Sequence, residues 1–183
     1  MEILLIDGYS LLYRAFFSSP PFSTKAGEPT GALFGFSKMV LRLIDERAPS
    51  HVLVAMDAHG PTFRHDSDAT YKAGRPEMQD DLRTQTRLVR EMMLGLSIPF
   101  YEHAGFEADD ILGTMSRVAA ERDFEVTIVT GDGDMLQLVD DKISVMLTRR
   151  GVSDLECYTP QAMRDRFGFE APLFPVYKGL RGD

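Results

Sequence analysis

The chain has 183 residues, 44% of them apolar, and a formal net charge of −8. That length suits one domain with a substantial core. No stretch approaches the roughly 18 uncharged apolar residues of a membrane span, and a single cysteine, Cys157, excludes an internal disulfide and suits the reducing cytoplasm. The acidity argues against a general nucleic-acid coat protein, but the eight carboxylates singled out below equal the whole excess. Gathered at one site, they would leave the remaining surface neutral overall.

The first residues, Met1-Glu2-Ile3-Leu4-Leu5-Ile6-Asp7, lack a basic leader and a small-residue cleavage site and read as a strand. Further apolar runs of strand length are His51 to Met56, a weaker Ser97 to Tyr101, a strong Glu125 to Val129, and Ile143 to Leu147. Between them, Gly31 to Glu46 carries Leu33, Phe36, Val40, Leu43 and Ile44 at helical spacing, and Asp80 to Leu96 and Ala108 to Arg122 follow the same pattern. A short strand (Leu155 to Tyr158) and a helix opened by Thr159-Pro160 close the series. Buried strands separated by helices predict an α/β fold with a mainly parallel central sheet. There is no internal repeat or linker, so residues 1–183 read as one domain. The polar stretch from Gly60 to Pro76 fits the alternation least, and long connections of this kind are usually functional.

The acids stand at telling places. Strand one runs into Asp7, strand two into Asp57, and the fourth into Thr130-Gly131-Asp132-Gly133-Asp134. Glu107, Asp109 and Asp110 open the helix leading into that strand. Taken singly, each aspartate is better explained by a cap or a turn. Together they would collect beyond the carboxyl ends of the strands, where open α/β sheets bind ligands. Such a cluster repels itself unless a cation intervenes. Carboxylate oxygens suit Mg²⁺ or Mn²⁺, whereas His51, His59, His65 and His103 show no zinc-ligand spacing. Two ions about 3.5–4 Å apart would clamp a phosphodiester for in-line attack by water. Arg14 follows Asp7, and Arg64, Lys72 and Arg75 follow Asp57; these could reach phosphates, and Tyr71 could stack on an unpaired base.

Several segments resemble the 5′ nuclease domain of bacterial DNA polymerase I, in the flap-endonuclease and 5′–3′ exonuclease superfamily. They are Ile6-Asp7-Gly8 with Tyr13-Arg14-Ala15, Gly27 to Ala32, Phe63-Arg64 with Tyr71-Lys72, Glu107-Ala108-Asp109-Asp110, and Thr130-Gly131-Asp132 with Asp134-Met135 and Gln137-Leu138. The resemblance runs the length of the chain. It implies a PIN-like three-layer fold, with a helical arch or clamp over about residues 60–80, that cuts DNA at 5′ ends, flaps, nicks and RNA-primed ends.

By the same resemblance one metal group is Asp7, Asp57, Glu107 and Asp109, with Asp110 shared or nearby, and a second involves Asp132, Asp134 and Asp183. Arg14, Arg64, Lys72 and Arg75 correspond to phosphate-contacting positions and Tyr71 to the stacking aromatic, with Lys72 and Arg14 also serving the reaction. The implied protein is a cytoplasmic monomer without membrane attachment, its polymerase domain lying elsewhere in a parent chain. Gly133 departs from the family's usual lysine, and the helix-hairpin-helix module expected after residue 183 is missing from this sequence. The alternatives are a PIN-type ribonuclease and an inactive or weakly DNA-binding fragment.

Overall fold

The computed structural model describes residues 1–68, 70–74, 77–149, 151 and 154–182. Strand β1 (Glu2–Asp7) is the apolar run Ile3 to Ile6 extended by one residue at each end. It pairs in parallel with β2 (His51–Ala55) on one side and β4 (Glu125–Thr130) on the other. The sheet has the order β3-β2-β1-β4-β5-β6, with β3 (Phe100–Tyr101), β5 (Ile143–Thr148) and β6 (Leu155–Tyr158) completing it. Within this sheet, among the described residues, only the β5–β6 pair is antiparallel.

Alternation along β1 sorts side chains to two faces, because successive residues of a strand point oppositely. Leu4 and Ile6 join one core with residues of α1 (Gly8–Ser18), α2 (Gly31–Arg47) and α4 (Asp80–Gly95), among them Leu11, Phe36, Val40 and Val89. Leu5 joins the other, with Ile111 and Leu112 of α5 (Ala108–Glu121), Met163 of α6 (Pro160–Phe167) and Phe174 of α7 (Phe174–Arg181). The result is the expected three-layer, mainly parallel α/β arrangement.

Two expectations shrink in the folded chain. The run Ser97 to Tyr101 contributes only two strand residues. Pro99 has no N–H for a ladder bond and Ser97 is left-handed at φ 56°, so pairing starts at Phe100. The expected arch over about 60–80 holds a single five-residue helix, α3 (Phe63–Ser67), followed by a turn at 70–74 among the described residues. Arg75 lies outside them.

The start of α2 depends on a residue far away in sequence. Thr30 at its N-cap makes no side-chain bond there. Instead the buried Gln85 of α4 accepts through Oε1 from the backbone N–H of Ala32 (2.8 Å) and Leu33 (3.1 Å). Two otherwise orphaned helix donors are thereby satisfied. Gln85→Leu leaves the buried Ala32 N–H and the half-buried Leu33 N–H without partners and is expected to lower stability by about 1–3 kcal/mol in denaturant unfolding, with an unchanged denaturant slope. Gln85→Glu keeps the acceptor and should recover part of the loss.

The chain builds the β1, β2, β3 side first and then returns to add β4 beside β1. The order of connection therefore reverses between β1 and β4, and a crevice outside the carboxyl ends of these strands is where such sheets bind ligands. Asp7 ends one of the two and Thr130-Gly131-Asp132 ends or follows the other. Among the described residues no helix is long and apolar enough to cross a membrane.

Candidate active site

Asp7 is the buried N-cap of α1. Its Oδ1 accepts from the Ser10 N–H at 3.0 Å and its Oδ2 from the Thr130 hydroxyl at 2.6 Å. Thr130 Oγ1 in turn accepts from the Asp132 N–H at 2.9 Å, so one threonine links the two strand ends. Burial, aided by neighbouring Asp57 and Asp132, pushes Asp7 up to about 6 despite these bonds. Asp57, just beyond β2, accepts from the Ala108 N–H at 2.6 Å and so ties the second strand end to the first turn of α5. Asp109, in that same turn, is pushed up to about 7 by burial and then by Asp7, Asp132, Asp57 and Glu107.

Asp7, Asp57, Asp109 and Asp132 thus form an electrostatically coupled set at the switch point of the sheet. Glu107 and Asp110, on the same helix start, are compensated. Glu107 accepts from Lys72 Nζ at 2.7 Å and from the Tyr71 hydroxyl at 3.0 Å, with Arg64 at 3.6 Å. Burial works against its charge, but the bonds from Lys72 and Tyr71 hold it below the ordinary carboxylate value. Asp110 takes a two-pronged bond from Arg64, both arms 2.7 Å, and is held low by it. Asp134 pairs with Lys178 of α7 at 3.0 Å.

The seven described acids are therefore not one assembled cluster. Among the described residues no three His, Cys, Asp or Glu side chains form a ready-made ligand group, and Glu107, Asp110 and Asp134 are turned to cations of the protein. Asp183 lies outside the described residues. The donor chemistry nonetheless fits a divalent cation. The four coupled aspartates offer hard oxygens, and two of them are driven toward protonation by burial and one another, a cost that a bound cation removes.

Around the acids, the basic residues divide in the same way. Arg14 donates to the Gly131 carbonyl at 2.9 Å, and the Gly131 N–H donates to Ser10 at 3.0 Å, which fastens α1 to the end of β4. A Cβ on Gly131 would lie 2.2 Å from Arg14 Nε, so only glycine admits the guanidinium here. Arg64 and Lys72, expected on phosphates, rest on Asp110 and Glu107. Tyr71, expected to stack, is held by its hydroxyl on Glu107 and meets His65 edge-on at 5.3 Å.

Three further side chains, two of them quoted only inside motifs, are given no role in the sequence reading. Ser10 and Thr130 carry only ordinary hydroxyl signals. Tyr13 is exposed and sits between Tyr9 (6.3 Å) and Phe17 (4.8 Å) on one stripe of α1. Its spacing of four from both neighbours was the available clue.

The sequence model of the family described as 5′–3′ exonuclease, N-terminal resolvase-like domain matches residues 2–168. The chain belongs to this family. Across its whole length it is 41% identical over 182 residues to the DNA polymerase I of Bacillus caldotenax, and it spans 21% of that relative's length. The exonuclease-family fold is shared with T5 5′-exonuclease with bound divalent metal ions, zinc (TM-score 0.72, 19% identity, 100% of this chain and 67% of that one). It is shared equally with the bacteriophage T5 flap endonuclease in a pseudo-enzyme-product complex with DNA and metal ions (TM-score 0.73, 18% identity, 100% and 67%).

Proposed function

We propose that this exonuclease-family domain is a divalent-metal-dependent 5′ nuclease that hydrolyses phosphodiester bonds of DNA at 5′ ends and flaps, in primer removal and repair. The observation that carries the reading is the coupled set Asp7, Asp57, Asp109 and Asp132 at the switch point, with Asp7 and Asp109 raised toward neutrality. Family membership supports it, as do the metal ions and DNA bound by the T5 proteins of like fold.

Asp7, Asp57, Glu107 and Asp109 would hold one Mg²⁺ or Mn²⁺ ion, and Asp132, Asp134 and Asp183 a second; when bound, the ions supply positive field for the phosphate and polarise water. The reaction is in-line hydrolysis that leaves a 5′-phosphate. The other roles fall to the chain's own side chains. Arg14, anchored on Gly131, has guanidinium N–H groups to offer a phosphate. Lys72, Arg64 and Arg75 neutralise phosphates, with Lys72 supporting the leaving oxygen. In this exchange Lys72 and Arg64 release Glu107 and Asp110, freeing Glu107 as a metal ligand. Tyr13 offers its exposed ring to an unpaired base. The stretch around residues 60–80 clamps the 5′ strand. In this reading the domain acts as a cytoplasmic monomeric unit of a polymerase-type protein.

The test is cleavage of a 5′-flap duplex with Mg²⁺, Mn²⁺ or EDTA, alongside single-stranded RNA. Cutting near the branch that needs the metal and disappears in Asp109→Asn is the expected result. Metal binding without cleavage of any 5′-ended DNA would overturn the proposal, and cutting of RNA with no need for a flap would replace it with a ribonuclease.

A further inference from the structure

Beside α5, toward the β3 edge of the sheet, opens a groove of about 400 Å³ lined by Leu53, Tyr101, His103, Phe106, Ile111 and Met115, with Asp110 at its margin. Its rings form a run. Tyr101 and His103 have centroids 6.5 Å apart, His103 and Phe106 5.2 Å, and Phe106 and Phe63 of α3 5.8 Å. Phe63 ends the run beneath the Arg64 guanidinium, 4.6 Å above its ring. Tyr101, Phe106 and Phe63 are 49%, 45% and 46% exposed, so these rings do not serve the core.

We infer that this groove is a track for unpaired nucleobases of the 5′ single strand, extending the active site past the clamp. The inference rests on the nuclease reading above and adds a subsite to it. Continuity with the acids argues for this occupant: Asp110 borders the groove and is gripped by Arg64, which also caps the ring run. The chemistry matches as well. Aromatic faces spaced along a path accept any base, because every base has a π-face. Glu102, beside Tyr101 and His103, is paired with Arg90 and so does not oppose a phosphate backbone there.

The experiment compares binding of a duplex with a single-nucleotide 5′ flap and one whose flap is several nucleotides long, with Ca²⁺ replacing Mg²⁺ and 2-aminopurine placed in the flap. The wild-type chain is expected to bind the longer flap about tenfold more tightly, from roughly one stacked base, with the probe's fluorescence changing on binding. Tyr101→Ala with Phe106→Ala should lose most of that gain and the fluorescence change, while Tyr101→Phe with Phe106→Tyr should keep both. If the double alanine variant loses cooperative melting, Tyr101→Ala alone, at an exposed sheet edge, replaces it.

A gain that survives in the alanine variant overturns the track and leaves the nuclease reading intact. Wild-type chain that binds neither flap overturns both. Sedimentation that finds self-association abolished by the alanine changes gives the groove to a second copy and overturns the track.

Discussion

Asp109→Asn is expected to abolish metal-dependent cutting, by a factor of about 10³ or more, and at the same time to raise the melting temperature of the chelated protein at pH 8. The two effects share one cause. Asp109 sits among Asp7, Asp132, Asp57 and Glu107 and is partly buried, so its folded-state pKa rises from 3.8 to about 7. Between those values the folded chain holds a proton that the unfolded chain has released. Stability from the neutral acid is therefore fully present below about pH 4 and is lost as pH rises through about 7.

A shift of that size corresponds to about 4 kcal/mol as an upper limit. Water reaching the partly exposed carboxyl and its coupling to Asp7 lower the expected gain to about 2 kcal/mol, or about 4–8 °C for a domain of this size. Thermal melts of both proteins in EDTA from pH 5 to pH 8 provide the check. The wild type should fall behind the variant as pH rises, and Mn²⁺ at pH 8 should restore the wild type more than the variant. Equal melting at every pH would remove Asp109 from the coupled set.

Lys72→Met carries the second large effect. Lys72 Nζ lies 2.7 Å from Glu107 Oε1, and its backbone is left-handed at φ 59°, a conformation that a lysine adopts at a cost unless tertiary contacts hold it. The substitution keeps most of the stem and removes the charge. In the free protein Glu107 loses its closest cation, with an expected stability loss of about 1–3 kcal/mol. In the reaction proposed above, loss of the donor assigned to the departing oxygen should lower cleavage by about 10²–10³-fold. Single-turnover cleavage separates the two roles. A variant that is less stable but cuts at the wild-type rate would make Lys72 a clasp for Glu107 and nothing more.

Much of this was legible in the linear chain because of simple periodicities. Leu4, Leu5 and Ile6 form a continuous apolar run because the strand is buried on both faces, and the helical spacing of Phe36, Val40 and Leu43 predicted α2 to within one residue at its end. The acids after β1, β2 and β4 were assigned to one edge, since parallel strands place their carboxyl ends together. That inference needs only strand direction, which local sequence carries through the helices between strands.

Tertiary structure decided which of those acids are compensated. Nothing in Glu107-Ala108-Asp109-Asp110 distinguishes the carboxylates that meet Lys72 and Arg64 from the one that faces Asp7 and Asp132. The distinction arises because Arg64, Tyr71 and Lys72 lie against one side of the α5 start, and ion pairing depends on position in space rather than in sequence. Gln85 capping a helix more than fifty residues away has the same origin. So has the ring run from Tyr101 to Phe63, which crosses from a sheet edge to a separate helix. Patterns of polarity along a chain are set by which face is buried; pairings between polar groups form only once the backbone has brought distant segments together.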